Sequence, residues 1–533
     1  MSAATLLAAP YRPALVPLPS DWPVWPELPR LEISIFPFGA VFSGDRLGLD
    51  VRTEFDPGGR ALQVRLDKPG SLPIAEADFF LDGNEGDWEA RLPWVWDTSG
   101  QAGWHTLFVN LAVPSAAANG VGSIPRQYPL RILPAARRSA GWRQATSACC
   151  DYYYLSGTES ERDIAGLIAQ TEQIYENLNA RMGGASPKLA IVFLPRLYGQ
   201  GGLVLQEGIL SYMDRNITGT DFLVVLEHEM THLFSAVFFQ TDARPPLILQ
   251  EGWAVYLTGG HYHSPEPLQE RAAALIQTGN FAPLPDLADS FYSAQHEAAY
   301  IEAGAFVEFL AGRFGHERVL AMYRDPIRAD SPGAALDSML RRHFHLTLAE
   351  CEAAWLESLR LLAPDPDQVR DVEFTLQMFD MLRSYQQLYD PGGFMFDLWL
   401  PDTSRARADR ISADYLPSPA ATESITLEIL FQAARKAAGE GEWSRSREML
   451  EAIGRILEAK QRRVPDPIAV SPLAEKYRRL VTAILRCGFE PLSIAFRGER
   501  AVAEIREPTS LEKEVQDWDN GNGGWVRAGG ARC

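Results

Sequence analysis

The feature that most constrains this chain is a pair of histidines four residues apart inside a long apolar segment. The segment runs from residue 221 to about residue 240 and contains His228-Glu-Met-Thr-His232. Residues four apart lie on the same face of an α-helix, so both imidazoles can reach one point, with Glu229 beside them. A helix this apolar is expected to be buried, and buried polar side chains need a partner. The segment therefore predicts a core helix that presents three polar groups to a common site.

A carboxylate on the next predicted helix completes the set. Two prolines break the chain after the first helix, and a shorter helix from about 248 to 257 contains Glu251. The residue after Glu251 is a glycine, which leaves room for two helices to approach closely. Two imidazoles and a carboxylate are the protein ligands of many catalytic zinc sites. The sequence thus predicts one Zn²⁺ per chain, bound by His228, His232 and Glu251, with Glu229 as the general base.

Patterns elsewhere in the chain divide it into successive regions. Before the motif, short stretches with alternating apolar residues, such as Leu62, Val64 and Leu66, are separated by Gly, Pro and Asp, which is typical of a β-sandwich. After the motif, helical periodicity dominates. We therefore expect a multidomain chain with an extended lead-in (1–30), an all-β, immunoglobulin-like sandwich (31–135), an α+β domain that holds the motif (142–365), a mainly α-helical domain (366–510) and a Gly- and Asp-rich disordered tail (511–533).

Composition narrows the function classes. The formal net charge of −19 argues against a nucleic-acid surface, which needs clustered Lys and Arg to displace counterions, and it disfavours anionic membranes. The sequence has no apolar run of the roughly 18–20 residues that a transmembrane helix needs. Its first residues have neither the basic start nor the apolar stretch of a signal peptide, so we expect a soluble cytoplasmic protein, with an extracellular location left open. The oligomeric state is left open as well.

The motif resembles that of a known family. His228-Glu-Met-Thr-His232, eighteen intervening residues and then Glu251-Gly-Trp-Ala-Val-Tyr is similar to the zinc signature of the gluzincin, or thermolysin-like, metallopeptidases. The likeness is to the bacterial peptidase MA-like domains and, more distantly, to the M1 aminopeptidases, and it covers about residues 152–325. It implies a metallopeptidase domain that acts on a peptide or protein substrate. In those families a downstream tyrosine stabilises the oxyanion, and Tyr300-Ile-Glu-Ala-Gly implies this role for Tyr300.

Two features depart from the M1 pattern. Glu302 stands where those enzymes carry lysine, and no G-x-M-E-N segment, which holds the substrate's free amine in aminopeptidases, precedes the motif. The resemblance therefore favours an endopeptidase. It also implies that residues 208–213 form the edge strand against which an extended peptide pairs.

Other interpretations stay open. Glu251 could be an ordinary helix-start carboxylate, and Tyr300 a core tyrosine with its hydroxyl bonded. We expect His261, His263 and His296 to be surface or hydrogen-bonded histidines rather than cleft residues. For the whole chain, the alternatives are a zinc hydrolase of non-peptide substrates, which a closed pocket would favour over an open groove, and a catalytically silent binding or scaffold protein that retains the zinc site.

Overall fold

A computed structural model shows how the chain folds. It describes residues 32–36, 41–53, 56–57, 61–81, 88–112, 126–133, 141–184, 187–195, 201–239, 243–390, 403–408, 410, 412, 415, 421–508, 510–521 and 524–528. The chain divides into two compact units, one formed by residues 1–142 with 396–417 and the other by residues 143–395 with 418–533. The predicted lead-in at 1–30 lies outside the described residues.

The first unit is rich in β-strands, as expected. Its strands are β1 (Glu32–Phe36), β2 (Val41–Phe42), β3 (Arg46–Thr53), β4 (Ala61–Leu66), β5 (Ala75–Ala77), β6 (Phe80–Leu81), β7 (Trp88–Asp97), β8 (Gly103–Ala112) and β9 (Arg126–Leu133), with a short helix, Thr403–Ala408, that is α11 in chain order. The strands form two sheets in the orders β1-β3-β7-β6 and β2-β9-β8-β4-β5. Alternate residues of both sheets, such as Leu49, Leu62 and Leu107, are buried in one shared core. An immunoglobulin-like connectivity stays a prediction.

The second unit begins with a mixed sheet and the helices that carry the motif. Its first elements are β10 (Trp142–Thr146), β11 (Cys150–Leu155), α1 (Glu159–Arg181), β12 (Leu189–Leu194), β13 (Gly202–Val204), β14 (Gly208–Ser211), α2 (Phe222–Ala236), α3 (Leu247–Thr258), α4 (Leu268–Thr278), α5 (Leu284–Asp289), α6 (His296–Phe314), α7 (His316–Tyr323), α8 (Pro332–Phe344), α9 (Leu348–Arg360) and α10 (Pro366–Tyr389). The two helices predicted to carry the ligand residues are α2 and α3.

The expectation that residues 208–213 form the edge strand is wrong. In the sheet order β10-β11-β12-β14-β13, β14 lies between β12 and β13. All of β14 is buried, whereas the residues of β13 are half-buried. The reason is that the chain first passes along the edge as β13 and then turns back, antiparallel, to form β14 inside the sheet. In the described part of this sheet, the outermost strand on the β14 side is therefore β13.

Helices α3 and α6 approach closely because glycine lies at the contact on each of them. A Cβ atom on Gly252 of α3 would run into the backbone carbonyl of Ala303, and one on Gly304 of α6 would run into the side chain of Val255. Helix backbones can come this near when the contact residues have no side chain. The glycine after Glu251 thus has the close-packing role that the sequence suggested, although its neighbour is α6 and not α2.

The C-terminal part ends in a sheet and is not the mainly helical domain that we expected. Helices α12 (Thr422–Gly439), α13 (Trp443–Gln461) and α14 (Pro472–Arg486) are followed by β15 (Glu490–Arg497), β16 (Arg500–Arg506), β17 (Lys513–Gly521) and β18 (Gly524–Arg527), which form an antiparallel sheet. Strands β17 and β18 lie within the residues expected to be a disordered tail. Their Trp518 and Trp525 join the core of this part, which supplies apolar burial that the Gly- and Asp-rich composition concealed.

No helix among the described residues combines the length and apolarity that spanning a bilayer requires.

The close contact of α3 and α6 leads to a prediction about the free energy of unfolding. Gly252→Ala should lower the free energy of unfolding by about 1–3 kcal/mol, because the added methyl group forces the Ala303 backbone to move. Gly312→Ala, on α6 where a Cβ would meet nothing within 4 Å, should instead raise it by up to about 1 kcal/mol. Urea unfolding of both variants measures the difference, and equal effects would contradict the packing described.

Candidate metal centre

Helices α2 and α3 bring the three predicted ligand residues to one point. The Nε2 atoms of His228 and His232 each lie 3.2 Å from Oε2 of Glu251 and 3.2 Å from one another. These atoms form a triangle of nearly equal sides. Zinc binds imidazole nitrogens and carboxylate oxygens at about 2.0–2.2 Å, and the corners of such a triangle lie about 1.8 Å from its centre, so an ion slightly above that centre can reach all three.

Local structure fixes where these side chains point. The Asp221 side chain accepts a hydrogen bond from the Leu223 N–H, 2.9 Å away, and so caps the start of α2. Buried apolar residues such as Leu226 and Phe234 hold α2 in the core, as the sequence predicted. The second helix is stopped by Gly259 in the left-handed conformation, with φ of 72°. Both helices are therefore anchored within a turn or two of the ligand atoms.

Burial and the neighbouring charges set the protonation of this trio. Burial lowers the pKa of His228 to about 4, so its imidazole is neutral at neutral pH. Burial by itself would lower the pKa of His232 as well. The nearby Glu251 carboxylate has the larger effect and raises this pKa to about 8. The same two histidines overcome the effect of burial on Glu251 and hold its pKa well below the ordinary value. A carboxylate that stays ionised in a buried site attracts a cation, either a proton on His232 or a metal ion.

Glu229 lies beside the trio in a space that a glycine provides. This residue is 8% exposed, and burial raises the pKa of its carboxyl group to about 7. On the edge strand β13, a Cβ atom at Gly202 would occupy the position of the Glu229 carboxyl group. Glu229 therefore takes up space that any side chain at position 202 would fill, and it can hold or release a proton near neutral pH.

Two tyrosines reach the centre from the start of α6. The ring of Tyr300, predicted as the oxyanion donor, is buried 5.9 Å from the His228 ring, and burial raises its pKa well above 10. Tyr292, in the turn before α6, donates a hydrogen bond from its hydroxyl to Oε1 of Glu251 over 3.0 Å. Sequence reasoning missed Tyr292 because it lies outside the Tyr300 segment that carried the resemblance.

His261 and His296 line the same cavity, contrary to our expectation that they lie outside the cleft, although both are hydrogen-bonded as expected. Both side chains are at most 9% exposed, and both contact the carboxylate of Glu297, which is 1% exposed. The His261 ring stacks on Tyr300 with centroids 3.9 Å apart. The sequence offered one signal for this arrangement, because His296 lies four residues before Tyr300 on the same predicted helix. Nothing in the sequence indicated that His296 lies close to the loop that holds His261.

Several of these residues line one cavity, which has about 620 Å³ of empty space, part of it open to solvent. Its walls come from the edge strand, from α2, from the loop after α3, from the start of α6 and from α10: Gly201, Gly202, Val225, His228, Glu229, His261, Tyr262, His296, Tyr300, Phe379, Leu382, Arg383 and Gln386. The residues from α10 have helical spacing and so form one face of that helix. Tyr385 of α10 donates a hydrogen bond to the buried Glu428 of α12, which fixes this wall. Residues 208–213, expected to border the substrate, do not line the cavity.

Comparisons with known proteins identify similar structures but no similar sequence. No protein-family model matches the chain, and no curated protein matches it in sequence. Yeast leukotriene A4 hydrolase in complex with bestatin aligns with 81% of this chain and 92% of its own, at 13% identity and a TM-score of 0.30. Native leukotriene A4 hydrolase from Saccharomyces cerevisiae aligns with 83% of this chain and 84% of its own, at 10% identity and a TM-score of 0.32. With scores this low, the chemistry of the site follows from its own residues.

The raised pKa of Glu229 makes the stability of the metal-free protein depend on pH. The folded state binds this proton with a pKa of about 7, against an ordinary value of 4.5, so stability is lost as the pH rises through that range. Glutamine has no charge to bury. Metal-free Glu229→Gln should therefore exceed the wild type by about 2–3 kcal/mol in free energy of unfolding at pH 8 and by much less at pH 5. Denaturant titrations at the two pH values test this, and a difference that does not change with pH would contradict it.

Proposed function

We propose that this chain is a zinc-dependent metallopeptidase. The observation that carries the proposal is the triangle of ligand atoms from His228, His232 and Glu251, with Glu229 next to His228 in the wall of the cavity. The similarity of the motif to the gluzincin signature supports the same conclusion. Hydrogen bonding alone is a poor account of three converging ligand atoms, since Oε2 of Glu251 faces both imidazoles while the imidazoles also face each other.

The donor set fits zinc. Two imidazoles and one glutamate are the protein ligands of several zinc peptidases, and they leave a coordination position for water or substrate. His228, His232 and Glu251 would hold the ion, which when bound lowers the pKa of water to about 7 and polarises a carbonyl group. Tyr292 positions Glu251 through its hydrogen bond, as residues around metal ligands commonly do.

Glu229 is the group that moves protons in this proposal. It takes the proton of the attacking water and passes it to the leaving amine. Because burial raises its pKa to about 7, the carboxylate is a stronger base than an exposed glutamate and, once protonated, can still give the proton up near neutral pH.

Tyr300 is our candidate for stabilising the oxyanion. Its buried ring is held between the stacked His261 and the edge-on Phe291. Burial keeps the phenol protonated, so that it can donate a hydrogen bond to the negative charge that develops on the carbonyl oxygen. Tyr292, whose hydroxyl donates a hydrogen bond to Glu251, is the competing donor.

The shape of the cavity favours a second candidate, a zinc hydrolase of small non-peptide substrates. The sequence favoured an endopeptidase with a groove along residues 208–213, but β14 is buried inside the sheet. Its neighbour β13 is the edge on which an extended peptide could pair, and residues 201 and 202 line the cavity. Residues of α10 also line this cavity, so short peptides are the first substrates to try. A catalytically silent binding protein remains the third candidate.

The metal centre is tested by zinc content. We expect about one zinc per purified chain by mass spectrometry, and at least a tenfold loss of zinc affinity in Glu251→Ala, because one of three ligands is removed. Glu227→Gln is the matched control, since Glu227 lies on α2 but contacts Arg181 and not the centre. A wild-type chain without zinc would contradict the proposal.

Hydrolysis is tested with short quenched peptides, casein and small esters or amides. Glu229→Gln should lower kcat at least a hundredfold on whichever class is cleaved and should retain zinc, because the base is lost and the ligands are not. Cleavage of small non-peptide substrates alone would favour the second candidate. Zinc without any turnover would favour the third.

The oxyanion role is tested by two tyrosine variants. Tyr300→Phe should lower kcat by about 10²–10³ with little change in KM, because the lost hydrogen bond forms in the transition state. Tyr292→Phe should weaken zinc binding by about 10–100-fold and lower kcat less at saturating zinc. If the two variants exchanged these effects, Tyr292 would be the oxyanion donor.

A further inference from the structure

The carboxylate of Glu297 orients two histidines of the cavity. Its Oε1 lies 2.8 Å from Nδ1 of His296, and its Oε2 lies 3.0 Å from Nδ1 of His261. The two imidazoles hold the pKa of Glu297 well below the ordinary value against the effect of burial, so the group is ionised. Because an ionised carboxylate only accepts hydrogen bonds, both Nδ1 atoms must carry a proton.

This orientation leaves Nε2 of His296 as an acceptor. Burial, together with the nearby Arg383, lowers the pKa of His296 to about 4, so the ring is neutral and its second nitrogen has a free lone pair. The His296 side chain is 9% exposed and lines the cavity, and its Nε2 is buried without a hydrogen-bond partner among the described residues. A buried acceptor of this kind is costly unless a water molecule or a ligand group donates a hydrogen bond to it.

The histidines around Glu297 differ from the zinc ligands in a way that argues against a second metal ion. At the first centre, two Nε2 atoms converge on one oxygen of Glu251. At Glu297, each imidazole has an oxygen of its own, at the length of an ordinary hydrogen bond. Both oxygens of Glu297 and both Nδ1 atoms are therefore paired without an ion, and the atom of this trio that lacks a partner in the described part of the chain is Nε2 of His296.

We propose that Nε2 of His296 recognises the substrate by accepting a hydrogen bond from an N–H or O–H group beside the bond that is hydrolysed. The His296 ring lies 4.5 Å from the ring of Tyr300, so a group bound there lies next to the oxyanion donor. Glu297 acts through His296 by fixing its tautomer. This inference rests on the proposed function for the bond that is cut, but the recognition itself is a binding property.

Paired peptides measure the preference. Peptides that differ by Thr against Val, Tyr against Phe or Gln against Met on either side of the cleaved bond differ in one donor group at similar size. We expect the donor-bearing member to have a kcat/KM about 10–100-fold higher at one of the two positions, because the other member leaves Nε2 unpaired. In His296→Phe the ratio should fall to about one. His343→Phe, on α8 outside the cavity, should leave it unchanged.

Glu297→Gln provides a sharper test, because an amide has one acceptor and one donor. Its N–H₂ group must face one of the two imidazoles, and that ring then carries its proton on Nε2 instead. Nitrogen-15 chemical shifts of the imidazoles report the tautomers without substrate or turnover. We expect Nδ1-protonated His261 and His296 in the wild type, and one reversed ring in Glu297→Gln. A wild-type His296 protonated on Nε2 would overturn the proposal.

Binding to the Glu229→Gln variant separates this inference from the proposed function. Calorimetry with the same peptide pairs should show tighter binding of the donor-bearing member even if no substrate is cleaved. If the wild type showed this preference but cleaved no peptide, the proposed peptidase function would be overturned and the recognition by His296 would stand. Cleavage with equal kcat/KM and equal affinity for both members would overturn the recognition. If His296→Phe lowered kcat equally for both members of a pair and kept the ratio of their kcat/KM values, the recognition would also be overturned. Glu297, His261 and His296 would then have the role of positioning Tyr300.

Discussion

The site depends on the burial of three carboxylates around one cavity. Glu229, Glu251 and Glu297 are each at most 8% exposed, and an isolated charge at such depth is very costly. Each is compensated differently. Glu251 faces two imidazoles in a geometry that suits a metal ion, Glu297 accepts two N–H hydrogen bonds, and Glu229 is the group whose pKa rises to about 7. The three kinds of compensation give the same residue type three chemical roles.

The need to compensate these buried carboxylates constrains how the helices pack. Carboxylates can be held so close to imidazoles only if their backbones are nearly immobile, because long side chains in loops lose the geometry. The glycines at the contact of α3 and α6 allow the approach, and Gly202 on β13 leaves the space that the Glu229 side chain occupies. Small residues at these positions are thus part of the electrostatics, since they decide which charged groups can share one cavity.

Much of the site could be predicted from the sequence because its ligands come from two neighbouring helices. The four-residue spacing of His228 and His232 and the helical context are local signals, and Glu251 lies on the next helix of the chain. Tyr292, Glu297 and the α10 wall could not be found in this way, since their roles come from contacts between distant segments. The edge strand was misassigned because the family resemblance on which the assignment rested does not reveal which strand of the β13–β14 hairpin lies outside. At the C-terminus, a Gly- and Asp-rich composition suggested disorder, but two tryptophans are buried by tertiary packing and the segment forms strands.

The groups proposed for hydrolysis and part of the surface that contacts a ligand come from different helices, because α10 forms one wall of the cavity. The groups proposed to perform hydrolysis come from α2, α3 and α6, whereas Phe379, Leu382, Arg383 and Gln386 face them from a helix much later in the sequence. Substitutions on that face of α10 can reshape the space for a ligand without moving the triangle of ligand atoms. A lineage of such proteins could therefore diversify its substrates through a single helix surface while its reaction chemistry stayed fixed.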